Sequence, residues 1–133
     1  AMIRRFHEAK LENKPEVVLW GTGKPMREFM HVDDLADACY LLMQASNPPD
    51  IVNMGTGTDV TIRELAETVS AAVGYQGKLT WDTTKPDGTP RKLLDVSRLA
   101  NMGFKAKVSL AEGVKATYAA FLKEQDAGIL RSV

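Results

Sequence analysis

Thr61-Ile62-Arg63-Glu64 opens the best-specified helix in this sequence, and what must cover that helix constrains the fold more than any other feature. A threonine three residues ahead of a glutamate forms a capping box. The hydroxyl accepts the glutamate amide, and the carboxylate returns to the threonine amide. Ile62, Leu65, Ala66, Val69 and Val73 then recur at helical spacing, so one face is apolar, and Gly74 offers a stop. An isolated amphipathic helix cannot bury its own stripe. The chain must supply other elements for it to lie against.

The rest of the sequence offers them. Residues 2 to 12, MIRRFHEAKLE, read as a helix without an evident cap at Ala1, and Glu16 to Trp20 reads as a short strand. The turn cluster Gly21 to Pro25 leads into a second predicted strand, Glu28 to Val32, expected to pair with the first. Asp33 or Asp34 is the expected cap of the next helix, whose Leu35, Ala38, Cys39 and Leu42 share a face. Pro48 and Pro49 stop it. Ile51 to Met54 reads as a buried-type strand ended by Gly55-Thr56-Gly57, and Lys78 to Asp82 as another strand. A long polar loop, Thr83 to Lys92, follows. Ser97 is the expected cap of a brief helix ending near Gly103, and Ser109 with Glu112 forms a second capping box. Behind that box Leu110, Val114, Tyr118, Phe121 and Leu122 fall on one face. The pattern is α/β, arranged in an α+β-like way without internal repeats, and 133 residues suit one folded unit.

Seventeen basic residues balance seventeen acidic ones, which leaves no overall field to attract nucleic acid or an anionic membrane. The one cysteine, Cys39, excludes an intramolecular disulfide and is expected in the core. With only His7 and His31 beside it, no metal centre is expected. No apolar run is long enough to span a bilayer, so a soluble, cytoplasmic chain is the expectation.

Two glycine turns invite a dinucleotide reading, but Met26 and Val60 stand where the third glycine of the fingerprint belongs. The Gly55-Thr56-Gly57 turn could place an anion at a helix start, although a tight strand-to-helix turn is the simpler reading. No tyrosine is followed four residues later by lysine: Tyr40 meets Gln44, Tyr75 meets Leu79 and Tyr118 meets Leu122. Asp33 and Asp34 suit capping better than acid/base work, and His31 suits packing in a strand. The loop Lys85-Pro86-Asp87-Gly88-Thr89-Pro90-Arg91-Lys92 carries more chemistry. Two prolines stiffen it, Gly88 admits a close approach, and Arg91 with Lys92 supplies cations suited to a diphosphate. Arg27 adds a guanidinium and Trp20 a flat face, a combination suited to a nucleotide or a sugar phosphate.

Several segments resemble the later half of the GDP-L-fucose synthase family, which are extended short-chain dehydrogenase/reductases. They are Arg4 to Ala9, Val17 to Gly23, Pro25 to Phe29, His31 to Asp34, Asn53 to Gly57, Thr61 to Ala66 and Lys85 to Val96. The Arg-Glu-Phe-x-His-Val-Asp-Asp and Asn-x-Gly-Thr-Gly stretches are widespread in such enzymes, whereas KPDGTPRK with the Trp20 to Arg27 segment is specific. The resemblance implies the carboxy-terminal, substrate-binding portion of an extended Rossmann-type enzyme, lacking most of the doubly wound cofactor domain. It matches Arg5, Trp20, Arg27 and Asp87 to positions that contact a GDP-sugar, with Lys92 a further candidate. Family members epimerise a 4-keto-6-deoxy sugar and reduce it with NADPH, using residues upstream of the segment matched here. The expectation is therefore a chain that holds no NADP(H) and is inactive alone, yet binds GDP-sugar weakly. The alternative is a repurposed self-associating interaction module. In either case a homo-oligomer is expected, through surface left by the missing domain around Val17 to Trp20 or Phe29 to Val32.

Overall fold

The computed structural model describes residues 2–130; Ala1, where the sequence offers no cap, lies outside them. The elements run α1 (Met2–Leu11), β1 (Glu16–Trp20), β2 (Met26–Glu28), α2 (Val32–Gln44), β3 (Asp59–Thr61), α3 (Ile62–Val73), β4 (Lys78–Asp82), β5 (Arg91–Lys92), α4 (Ser97–Asn101) and α5 (Leu110–Asp126).

The helix that the sequence specifies best also sits at the centre of the core. Its capping box is closed in both directions, with Thr61 Oγ1 accepting the Glu64 amide at 3.1 Å and Glu64 Oε2 accepting the Thr61 amide at 2.7 Å. Gly74 ends it in the left-handed conformation. Between those ends Ala66, Val69 and Val73 pack with Phe6 and Ala9 of α1, Val17 and Leu19 of β1, Tyr75 and Val114 of α5. Each large apolar side chain so buried is worth about 1.5–3 kcal/mol relative to exposure. Polar contacts fix how the layers meet. Lys10 Nζ donates to the Val73 carbonyl at 2.8 Å, the Tyr75 hydroxyl donates to the Lys14 carbonyl at 2.9 Å, and His7 Nδ1 lies 3.0 Å from the Tyr118 hydroxyl.

The strands form two small sheets. β1 pairs in parallel with β4, from Glu16 opposite Lys78 to Trp20 opposite Asp82. β2 lies between β3, antiparallel, and β5, parallel. The expected pairing of the first two strands is therefore absent, and the second strand is Met26–Glu28 rather than Glu28 to Val32. Val32 already belongs to α2. His31 is neither packed in a strand nor followed by an aspartate cap. It caps α2 itself, its imidazole accepting the Asp33 amide at 3.3 Å.

Asp34 has a different task from the expected cap. It is 2% exposed, and its carboxylate accepts the Lys107 amide at 3.1 Å and the Val108 amide at 2.9 Å. A buried carboxylate is tolerated because backbone donors replace its water. α4 is likewise not capped by Ser97, since Asp95 Oδ1 accepts the Ser97 amide at 2.9 Å from just outside the helix.

Two further expectations fail around α2. Cys39 is exposed, not in the core. Ile51 to Met54 forms no strand, and Ile51 is 71% exposed. On the expected apolar face of α2 Ala38 is buried and Leu42 partly covered, while Leu35 stays accessible. Among the described residues no helix is long and apolar enough to cross a membrane.

Candidate functional site

The basic loop is built onto the Gly21 to Pro25 turn. Gly21 continues β1, its amide donating to the Asp82 carbonyl at 2.9 Å, and turns with φ 79°. Asp87 then closes over it. One carboxylate oxygen accepts the Thr22 amide at 2.8 Å, and the other accepts the Thr22 hydroxyl at 2.6 Å. These bonds hold the Asp87 carboxyl below the usual carboxylate range, with the Thr22 hydroxyl the main cause and its amide the second. A Cβ at Gly21 would collide with that carboxylate, so glycine is required both for φ and for the close approach.

Clamping the loop at Asp87 sets where its neighbours go. The Met26 amide donates to the Pro90 carbonyl at 2.8 Å, which starts the β2–β5 ladder and puts Lys92 directly opposite Arg27. The Arg27 guanidinium donates to the Met26 carbonyl at 2.6 Å and lies under Gly88, where a Cβ would stand 3.3 Å from Nη2. Trp20, at the end of β1, is 70% exposed, and Lys85 Nζ lies 5.8 Å from its ring centroid. An ammonium at that distance is attracted by the ring face. Trp20, Arg27, Asp87 and Lys92 thus belong to one surface formed by two segments. Arg5 is exposed on α1 and belongs to none of these contacts.

Not every cation in the loop is available to a ligand. Arg91 makes a bidentate pair with Asp59, Nε to Oδ2 at 2.6 Å and Nη2 to Oδ1 at 3.1 Å. The guanidinium holds the Asp59 carboxyl below its ordinary range, and the carboxylate raises Arg91 in turn. Lys92 forms no ion pair among the described residues, so it keeps donors for a ligand, as do Arg27 and Lys85.

Reading the sequence missed the residues that hold this surface together. Glu28 accepts the Gly57 amide at 2.5 Å through one carboxylate oxygen and the Leu94 amide at 3.3 Å through the other. Arg63 stacks 4.7 Å above the Trp81 ring and donates to the Thr22 carbonyl at 3.2 Å. The proximity of Gly57 to a carboxylate from another strand leaves no mark in local spacing. The residues present do not fit a dinucleotide phosphate either. The Gly21 turn is filled by Asp87 and the Gly55-Thr56-Gly57 turn by Glu28, and an anion would meet a like charge at both. Gly55 to Gly57 is a turn, but not the expected strand-to-helix one, since no strand precedes it and it leads into β3 before α3 begins.

The NAD dependent epimerase/dehydratase family matches residues 1–55. GDP-L-fucose synthase 1 of Arabidopsis thaliana is 59% identical over 123 residues, which is 92% of this chain and 38% of the plant protein. GDP-L-fucose synthase of Escherichia coli (strain K12) is 50% identical over 135 residues, covering 95% of this chain and 42% of the bacterial one. Over nearly all of its own length the chain is similar to GDP-L-fucose synthases. It spans about two fifths of the length of these curated relatives. A GDP-mannoheptose C4 reductase from Campylobacter jejuni with NADP bound superimposes with TM-score 0.80 at 37% identity, over 91% of this chain and 43% of the reductase. The α/β arrangement of this GDP-L-fucose synthase relative is accordingly part of an extended short-chain dehydrogenase/reductase fold.

Proposed function

We propose that this chain is the carboxy-terminal, nucleotide-sugar-binding part of a GDP-L-fucose synthase, a single unit that holds the GDP-sugar without reducing it. The observation that carries this reading is the joining of the Trp20 to Arg27 segment to the Lys85 to Lys92 loop by Asp87 and the β2–β5 ladder. The arrangement presents an exposed indole beside two cations that keep donors for phosphate oxygens, Arg27 and Lys92. Trp20 packs on the base or the sugar, while Arg27 and Lys92 neutralise the diphosphate. Asp87, with both oxygens committed to Thr22, fixes the loop and has remaining lone pairs for a sugar hydroxyl. Arg5 would complete the diphosphate contacts from α1. NADP(H) belongs to the full-length family, and this chain alone is expected to turn over no nicotinamide.

Titration of the purified chain with GDP, followed by amide NMR, tests the site. Shifts are expected at Trp20, Arg27 and Asp87 to Lys92, with little response to ADP. Arg27→Ala should weaken binding about tenfold to a hundredfold, the loss of a charge-assisted contact of about 1.5–3 kcal/mol. Equal response to GDP and ADP that ignores the substitution would overturn the reading. So would loss of NADPH absorbance, with the 4-keto-6-deoxy GDP-sugar, that tracks the purified chain.

A second reading, a self-associating module, is favoured by the apolar side chains exposed on and after α2. Light scattering that rises with concentration, in a protein without GDP affinity, would support it instead.

A further inference from the structure

The residues assigned to the GDP-sugar do not by themselves tell one base from another. Arg27 and Lys92 address phosphate oxygens, which GDP and ADP share, and an indole such as Trp20 stacks on any base because every base has a π-face. Most polar side chains around Trp20 already have partners. Both Asp87 oxygens accept from Thr22, Asp82 Oδ1 accepts the Thr84 amide at 3.1 Å and the Thr84 hydroxyl at 2.5 Å, and Arg63 donates to the Thr22 carbonyl. Arg91 is held by Asp59, and Lys24 lies close enough to Asp87 to act on its carboxylate. Lys85 is different. Among the described residues its ammonium makes no ion pair, and what holds it is the Trp20 ring, 5.8 Å from Nζ to centroid.

The backbone puts Lys85 there. Trp20 ends β1 directly opposite Asp82, the last residue of β4. A turn follows at once, in which the Lys85 amide donates to the Asp82 carbonyl at 3.2 Å while the Asp82 carboxylate holds Thr84. The chain therefore reverses beside Trp20 and lays the flexible stem of Lys85 toward the indole. An ammonium held only by a ring face is in place before a ligand arrives and is free to move when one does. A base that stacks on the indole takes that face, and the ammonium shifts to the rim of the stack, where the in-plane edge of the base lies. Purine edges differ there. Guanine presents N7 and O6, two neighbouring acceptors, whereas adenine presents N7 beside an amino donor that repels an ammonium. We propose that Lys85 reads the N7 and O6 edge of guanine and selects a guanine over an adenine nucleotide at this surface. The proposal rests on the GDP-sugar reading above and deepens it by naming the group that recognises the base.

Calorimetric titration of the whole chain with GDP, ADP and inosine diphosphate tests this. Inosine diphosphate keeps N7 and O6 but lacks the 2-amino group of guanine. It and GDP are expected to bind alike, each about tenfold tighter than ADP, the discrimination that a base-edge contact gives. Lys85→Met keeps a long apolar stem and removes the donors. In that variant GDP and inosine diphosphate should fall to the level of ADP, with ADP itself little changed, and Lys85→Arg should restore most of the preference. Because Lys85 is exposed, both variants should keep the circular dichroism of the parent chain. Arg27→Ala should weaken all three ligands by the same factor and leave their ratio intact, which separates the base from the diphosphate. A preference for GDP over ADP that survives Lys85→Met overturns the proposal while the GDP-sugar reading stands. Inosine diphosphate binding only as well as ADP overturns it too, since recognition would then lie at the 2-amino group. Equal weakening of GDP and ADP by Lys85→Met would make the lysine a phosphate or stacking contact and has the same consequence. No binding of any of the three overturns the proposal together with the reading on which it rests.

Discussion

α3 and α2 are both amphipathic helices of ordinary length, yet one organises the molecule and the other lies at its margin. α3 is met on its apolar side by α1 and α5, with Phe6, Ala9 and Val114 closing around Ala66, Val69 and Val73. α2 carries as plain an apolar stripe, but its burial is confined to Ala38 and to the carboxylate of Asp34. The difference lies in the neighbours. An apolar face earns stabilisation only when another face removes it from water, and the chain supplies that face for one helix and not for the other.

The comparison breaks most visibly if equal truncations are made on the two sides. Phe6→Ala removes a ring with no exposure that packs on Tyr75 at 5.6 Å between centroids, and should cost about 3–5 kcal/mol. Met43→Ala on the open face of α2 should stay within about 0.5 kcal/mol, as surface changes do. Urea unfolding of both variants checks the pair, and similar losses would mean that α2 is covered in solution.

A smaller effect is expected from Asp34→Ala, because α2 is attached to the rest chiefly by the amides of Lys107 and Val108. Leaving those donors without an acceptor should cost about 1–3 kcal/mol. Amide exchange at Val108 should quicken in this variant more than exchange at Val69.

The smallest expected effect is on pH. Thr22 depresses the Asp87 carboxyl, Arg91 that of Asp59, and the capping boxes those of Glu64 and Glu112. A carboxyl whose folded pKa is depressed contributes stability above its unfolded pKa and loses it as pH falls through the folded one. The basic loop should therefore loosen from its turn only below the ordinary carboxylate range, at about pH 4 and under. The Thr22 amide resonance, followed downward in pH, checks this. Movement at neutral pH would mean that Asp87 is not the clamp.

How much of this could be read in the sequence follows the same division. Both capping boxes, the stop at Gly74 and the stripe of α3 were legible because each depends on residues within a turn or two. The Trp20 to Arg27 and Lys85 to Lys92 segments were legible as chemistry, and the structure adds that Asp87 and the β2–β5 ladder join them. What escaped depends on distant partners. Glu28 serves Gly57 and Leu94, Asp34 serves Lys107 and Val108, and Arg91 is taken by Asp59; none of these pairs shares a local pattern. Ile51 to Met54 has the composition of a buried strand, but among the described residues no strand pairs with it. Cys39 has the character of a core residue, yet it is exposed, because burial is set by distant partners and not by residue type.

The contact between His7 and Tyr118 bears on how the chain is made. Those residues stand 111 positions apart, and His7 also meets Phe121 edge-on at 5.2 Å between centroids. α1 and β1 leave the ribosome before α3, β4 and α5, so Phe6, Ala9, Val17 and Leu19 are made well ahead of the side chains that pack on them. Until residue 121 has emerged that part of the core is incomplete, which leaves the nascent chain a client for chaperones.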